Sequence, residues 1–346
     1  MIIILSILLF SSCVNSLLFV PFIDLLYKFR FQRQKQKTKD AFEKPTPIFD
    51  KLHKHKVGVP VGGGLLIIFT TTLFFPIMLL VMRYFFVPIT EVYRLDAEVK
   101  ILVTTFLGFG LLGLYDDLKK TFSWAKDAFF GLRLRHKLII EIILSLLVST
   151  WLYTDLKIEF VHIPFFGVFH LGFLFIPFAA MVIIAFSNAC NITDGLDGLA
   201  GGVLMISLLA FLVISASILD TPLSIFIALW LGGLLAFLYF NVFPARIMLG
   251  DVGALAFGAT FAVVGLILGK ALALVVIGGV FVIEVASSLV QLLSKKYLGR
   301  RIMTVAPLHL WFQNRGWPEP KVVMRAWLFS IFLSALGLWF ALITRK

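Results

Sequence analysis

Residues 188–202 read Asn-Ala-Cys-Asn-Ile-Thr-Asp-Gly-Leu-Asp-Gly-Leu-Ala-Gly-Gly and lie between two long apolar runs. Asn188, Asn191, Asp194 and Asp197 recur every three residues. If the preceding helix runs on into this stretch, the first three fall near one face. Gly195 and Gly198 then let the backbone turn and approach a ligand closely. A loop that is merely solvated has no use for such spacing.

Four further junctions have the same polar character. His53-Lys54-His55-Lys56, followed by Gly58 and Gly62-Gly63-Gly64, places cations and glycines at a helix start. Backbone N–H groups and the helix dipole favour phosphate there; the competing reading is a basic flank beside a glycine packing patch. Asp116-Asp117 is followed by Lys120, four residues after Asp116 and so on its helical face. Adjacent carboxylates beside an apolar segment are costly unless paired or bound to metal. Hard oxygen ligands near phosphate suit Mg2+, which takes one or two carboxylates plus substrate oxygens and water. Arg133, Arg135 and Lys137 form a basic entry to the next apolar run. Asn241 and Gly250-Asp251-Val252-Gly253 repeat the glycine–aspartate theme before a new span. The last junction is Ala306-Pro307-Leu308-His309-Leu310-Trp311-Phe312, then Gly316-Trp317-Pro318-Glu319-Pro320-Lys321, which its prolines make stiff. His309 could donate to phosphate, although a lone loop histidine is more often incidental.

The elements that must position these residues are membrane spans. The chain has 346 residues, 60% hydrophobic and 14% charged, against about 45–50% and about 25% in a soluble domain. The weakly hydrophobic stretch 27–61 is too short and basic for a globular core, so one integral-membrane domain over 1–346 is expected. Cys13 and Cys190 lie in or beside apolar segments and suggest neither disulfide nor metal cluster. The first apolar run lacks a basic leader and reads as a span rather than a signal peptide. Ten spans are expected, at roughly 3–27, 62–87, 99–115, 137–154, 171–188, 199–218, 222–241, 253–269, 271–293 and 321–343. The fold class is therefore all-α and polytopic.

With ten spans, one set of connections and its edge at Lys137 holds 22 of the 31 Lys and Arg residues. Positive residues mark the cytoplasmic side, which places the five polar junctions inside and both termini outside. The net charge of +12 thus reports membrane orientation rather than nucleic-acid binding. Asp116, Asp117, Asp194, Asp197 and Asp251 all fall on that inner side. The outer acids, Glu91, Asp96, Glu98, Asp155, Glu159 and Asp220, lack glycine partners and repeated spacing and read as solvated loops. Acids with basic neighbours at a membrane surface imply Mg2+, a phosphate-bearing substrate, and phosphoryl transfer between a lipid-embedded and a soluble reactant.

Taken together the motifs resemble the polyprenyl-phosphate N-acetylhexosamine-1-phosphate transferases over nearly all of 53–327. Asp116-Asp117 with Lys120 is similar to the family's Asp-Asp-x-x-Lys, and the 188–199 stretch to its long Asn/Asp/Gly motif. Asn241 and Gly250-Asp251-Val252-Gly253 resemble a further motif, and Gly316-Trp317-Pro318-Glu319-Pro320-Lys321 resembles the muramoyl-pentapeptide branch. The resemblance implies a ten-helix bacterial inner-membrane enzyme using Mg2+, often a homodimer, with its active site facing the cytoplasm. UDP-N-acetylmuramoyl-pentapeptide would donate to undecaprenyl phosphate and release UMP. Asp251 would ligate the metal with Asp117, and Asp116 and Asp117 would divide metal-proximal and proton-accepting roles. Asn191, Asp194 and Asp197 would hold the nucleotide end, Lys56, Lys120 and Lys137 would bind phosphates, and Asn188, Asn241 and His309 would also bind substrate.

The chain departs from the family pattern at the rim. Two hydroxyl residues of the family's Gly-Thr-Pro-Thr-Met-Gly-Gly are lost in Gly58-Val59-Pro60-Val61-Gly62-Gly63. Only His309 remains of a triple histidine, Met248 replaces an aromatic tied to uracil, and a following serine is Ala254. Trp311 and Arg315 are the residues expected to compensate in the donor site. Two alternatives stand beside the main reading. One is the same reaction with UDP-N-acetylglucosamine or a related donor, which the rim changes permit. The other is a non-catalytic transporter or paralogue, against which the complete acid set argues: Glu141 and Glu284 are the only convincing mid-span acids.

Overall fold

The computed structural model describes residues 2–32, 47–53, 56–122, 132, 134–164 and 166–343. Lys54, His55 and Arg133, expected among the basic groups of two junctions, lie outside the described residues. The helices are α1 (Ile2–Lys28), α2 (Pro47–Leu52), α3 (Gly63–Tyr84), α4 (Leu95–Phe122), α5 (Leu134–Thr154), α6 (Phe175–Thr193), α7 (Leu199–Ser217), α8 (Thr221–Asn241), α9 (Gly250–Ile267), α10 (Ala271–Ile277), α11 (Gly279–Tyr297), α12 (Leu308–Asn314) and α13 (Glu319–Leu342). Among the described residues nine helices are long and apolar enough to cross a membrane, and α10 with α11 makes a tenth, bent by 78°. This is an all-α polytopic membrane protein. The expected ninth span at 271–293 is therefore a broken one, divided at Gly278. A two-stranded antiparallel hairpin, β1 (Phe160–Ile163) with β2 (Gly167–His170), lies between α5 and α6, where no strand was expected.

α8 and α9 form the axis of the bundle; 89% and 94% of their apolar windows are buried inside the protein. α1, α3 and α7 surround α8, while α3, α4 and α6 surround α9. Between these helices the rings of Phe106, Trp230 and Phe257 meet at 5.2–5.5 Å. Inside a bilayer such packing, rather than expulsion of water, holds helices together, and small residues permit the approach. At two positions the approach needs glycine. A Cβ on Gly64 would lie 2.2 Å from Gly253 Cα, and one on Gly113 would lie 2.2 Å from the Asp251 carbonyl oxygen. α3 and α4 thereby press onto the first turn of α9, which carries Asp251.

Candidate active site

The polar junctions at 53–64 and 241–253 are joined through their backbones. Met248 N donates to Pro60 O at 2.8 Å, Gly63 N to Met248 O at 2.9 Å and Gly64 N to Leu249 O at 3.0 Å. The glycine run at 62–64 therefore docks α3 against α9. Its first N–H groups are taken up by protein carbonyls, a packing role where a phosphate cradle was the rival expectation.

Asp116, Lys120, Lys137 and Asp251 come together from three helices, α4, α5 and α9. Lys120 Nζ lies 3.0 Å from Asp116 Oδ2 and 2.9 Å from Asp251 Oδ2. Lys137 Nζ lies 3.3 Å and 2.7 Å from the same two atoms. Each cation thus bridges both acids. Leu132 N also donates to Asp116 Oδ1 at 2.6 Å. Asp117 points elsewhere. Its Oδ2 accepts from Val252 N at 3.0 Å, satisfying an exposed donor in the first turn of α9. Of the two neighbouring acids expected to divide the metal-proximal and proton-accepting roles, Asp116 is the one that shares lysines with Asp251, because consecutive residues on a helix point about 100° apart.

One turn along α5 from Lys137, the buried Glu141 accepts from Asn188 Nδ2 at 2.6 Å. Its other oxygen, Oε1, has no hydrogen-bond donor. α6 runs on to Thr193, so Asn188 and Asn191 do share the helix that was expected to carry them. Asn191, Asp194 and Gly195 are half-buried at its end.

A second cluster lies in the same set of junctions but is closed to solvent. Lys56 Nζ contacts Gly195 O at 2.9 Å, Glu319 Oε1 at 2.6 Å and Asp197 Oδ1 at 2.7 Å. The first two are hydrogen bonds and the third is an ion pair. Lys56, expected at a phosphate, is thus held by the protein itself. Asp197 accepts from Ala245 N at 2.9 Å, and Asp197 N donates to Glu319 Oε1 at 2.6 Å. Asn241 accepts from Gly198 N at 3.0 Å and donates to Ile247 O at 2.8 Å. Asp197 and Asn241 therefore clip the 194–198 turn to the 242–249 loop. Glu319 and His53, the latter 2.8 Å from Gly195 O, were not singled out as site residues from the sequence. Glu319 stood within the Gly316–Lys321 motif, but its pairing with a lysine 263 residues away has no local signal.

His309 is buried in α12 and contacts Glu284. Just past the end of that helix the Arg315 guanidinium lies 4.2 Å over the Trp311 ring, Arg315 exposed and Trp311 half-buried. The two residues expected at the donor rim are stacked on one another.

Among the described residues no three His, Cys, Asp or Glu side chains cluster as a complete protein cage. Two convergent carboxylates with lysines beside them are an arrangement in which Mg2+ can complete its shell from substrate oxygens and water. The residues fit that ion.

Residues 99–269, the segment from α4 to the end of α9, match the model of Glycosyl transferase family 4. The phospho-N-acetylmuramoyl-pentapeptide-transferase of Acetivibrio thermocellus is 36% identical over 295 residues, covering 83% of each chain. The protein of the same name from Borrelia turicatae is 34% identical over 343 residues, 93% of this chain and 91% of its own. That of Caldanaerobacter subterraneus is 36% identical over 282 residues, 81% of this chain and 84% of its own.

Proposed function

The chain belongs to the family of phospho-N-acetylmuramoyl-pentapeptide transferases, membrane enzymes of peptidoglycan precursor synthesis, and from that premise we propose its substrates and mechanism. The donor is UDP-N-acetylmuramoyl-pentapeptide, the acceptor is undecaprenyl phosphate, and the products are UMP and the lipid-linked phospho-sugar-peptide. An oxygen of the lipid phosphate forms a bond to the sugar-bearing phosphorus of the donor. The bond from that phosphorus to the bridging oxygen breaks, and the oxygen leaves with UMP.

The observation that carries this reading is the convergence of Asp116 and Asp251 on Lys120 and Lys137 at the ends of three spans. Two phosphate-bearing reactants bring strong negative charge together, and their approach requires cations already in place. Lys120 and Lys137 exchange their carboxylate partners for phosphate oxygens. Asp251 and Asp116 would hold Mg2+, which supplies neutralisation of the charge developing on the transferred group. Asp117 fixes the first turn of α9 and so aims Asp251. Asn191 and Asp194, half-buried at the end of α6, face the nucleotide, while Lys56, Asp197 and Asn241 hold the turn that carries them.

The changed rim, with Met248 and the single His309, favours one second reading: the same transfer from another UDP-sugar. Purified protein supplied with undecaprenyl phosphate, Mg2+ and each UDP-sugar in turn separates the two. UMP release with UDP-N-acetylmuramoyl-pentapeptide alone supports the reading; release with UDP-N-acetylglucosamine instead overturns it. The charge distribution supports a cytoplasmic site with outward termini. A cysteine replacing Phe166, exposed in the β1–β2 loop, should react with an impermeant thiol reagent on intact cells, and one replacing Leu298 should not. The reverse pattern inverts the orientation.

A further inference from the structure

The connection that carries His309 is pinned along one side of α11. Glu284, Ser287, Gln291 and Ser294 recur at intervals of three and four residues, so they share a helix face. Every one of them bonds to the segment 300–309. Ser294 Oγ donates to Arg300 O at 2.7 Å. Gln291 Oε1 accepts from Ile302 N at 3.2 Å and Met303 N at 3.1 Å, and its Nε2 donates to Met303 O at 2.8 Å. Ser287 Oγ accepts from Leu308 N at 3.1 Å. Glu284 Oε2 accepts from His309 N at 3.4 Å and faces His309 Nδ1 at 3.0 Å. The opposite face exposes Leu289 and Leu293. A polar stripe inside an otherwise apolar helix is thus wholly consumed in placing α12.

The top of the stripe leads to the substrate turn. Glu284 and His309 are both buried; with Glu284 as a carboxylate, which only accepts, Nδ1 of His309 is the donor of their 3.0 Å contact. The other ring nitrogen, Nε2, is buried without a hydrogen-bond partner. It lies against Gly195: a Cβ there would come within 2.6 Å of Nε2. Gly195 does not have a positive φ; it is needed to admit the histidine ring. On its carbonyl side the same residue is held by His53 and Lys56. Glu284, His309 and Gly195 therefore form one line of contact from α11 to the 194–198 turn.

We propose that Glu284 is a positioning residue of the donor site, acting through His309 to hold the Asp194–Gly195 step in the shape that receives the UDP-linked donor. Accepting from Nδ1–H fixes both the tautomer and the orientation of the ring, as partners of functional histidines do generally. The ring edge then sets where Gly195, and with it Asp194, can lie. The proposal rests on the transferase reading of the site given above.

The test is steady-state UMP release by the full-length protein in detergent, with donor and lipid phosphate varied separately. Glu284→Ala should raise the donor KM roughly tenfold or more and leave the lipid-phosphate KM within about twofold. Glu284→Gln, which keeps an acceptor for Nδ1–H, should recover most of that loss. In a His309→Ala background Glu284→Ala should add nothing further, because it acts through the ring. A scaffold role alone would shift both constants and would add to the loss in that background. Should Glu284→Ala fail to accumulate in membranes, Gly195→Ala, which drives a methyl group at Nε2, should raise the donor KM alone. The resonances of 15N-labelled histidine, with His309 assigned by its loss in the variant, should show an Nδ1-protonated ring in the parent, largely kept in Glu284→Gln, and a mixture in Glu284→Ala. An unchanged donor KM in Glu284→Ala, or additive losses with His309→Ala, overturns the proposal. If the parent itself releases no UMP, the transferase reading fails, and the tautomer measurement still decides whether Glu284 orients His309.

Discussion

Each end of the helix bundle holds a pair of carboxylates, and the two pairs are treated differently. Asp116 and Asp251, at the end with the polar junctions, are bridged twice, by Lys120 and by Lys137. At the other end Glu98 and Asp220 face one another with no cation between them. Both are fully buried, and three of their four carboxyl oxygens lack any donor. The nearby cations are spent at the surface instead, Arg94 on Asp96 at 2.8 Å and Lys100 on Asp155. Burial pushes the Asp220 carboxyl up to about 6, with the charge of Glu91 adding to it, against the pull of the Leu223 N–H and the bond to Glu98. Two facing carboxyls without a cation are stable when they share a proton. Asp116 and Asp251 thus sit in a charged centre neutralised by two lysines, while Glu98 and Asp220, sharing one proton, form a singly charged pair that joins α4 to the start of α8.

Removing an acid from each pair should break that comparison most sharply. Asp116→Asn should lower turnover by about 10³-fold or more, while Glu98→Gln should leave it within about twofold, in protein present at parental levels in the membrane. Equal losses from the two would mean that the ends are not functionally distinct. Removing one cation should cost less, since the other still bridges. Lys120→Ala or Lys137→Ala should lower kcat/KM about 10–100-fold, with the double variant losing more than either. Full activity in both single variants would show that neither lysine meets phosphate.

The smallest effect is expected at Asp220. Its folded-state value is raised above the ordinary carboxylate value, so the unfolded chain releases this proton at lower pH than the folded one. The native state therefore loses stability as pH rises from about 4 toward about 6, and the penalty is complete above that window. Asn at 220 removes the penalty and still caps α8, whose Leu223 N now reaches Asp220 Oδ1 at 3.2 Å. Asp220→Asn should stabilise the protein by about 1–3 kcal/mol at pH 8 and by less at pH 5, measured by thermal melting in detergent. No difference between the two pH values would show that Asp220 is already charged at pH 5 in the folded protein, with no raised value.

The spans were legible because a bilayer demands about 20 apolar residues in a row, a constraint written locally in the chain. The same logic missed the break in the ninth span. Its signals were present as Gly278-Gly279 and as Glu284, Ser287, Gln291 and Ser294 at helical spacing inside an apparently apolar run. The charged centre was legible where spacing is local, as in Asp116 with Lys120, and where an aspartate opens a span between glycines, as Asp251 does. The Lys56–Asp197–Glu319 cluster was not, because its three members come from three separated junctions and only packing brings them together. The glycines at 62–64 could be read as a phosphate cradle or a packing patch, and the partner surface of α9 decides between them. The outer acids, read as solvated loops, include Glu98 and Asp220, which the structure buries. Both are still short of glycine partners, but no spacing rule shows two acids meeting across 122 residues of sequence.

The central claim is that Asp116 and Asp251 make a Mg2+-dependent phosphoryl-transfer centre. It is tested most directly by titrating Mg2+ into chelator-treated protein while following UMP release from UDP-N-acetylmuramoyl-pentapeptide in the presence of undecaprenyl phosphate. The parent protein should be inactive after chelation and recover with a saturable Mg2+ dependence, while Asp251→Asn should stay inactive at every Mg2+ concentration. Full turnover in the chelated parent, or recovery of Asp251→Asn to the parental rate at the same Mg2+ concentration, would contradict it.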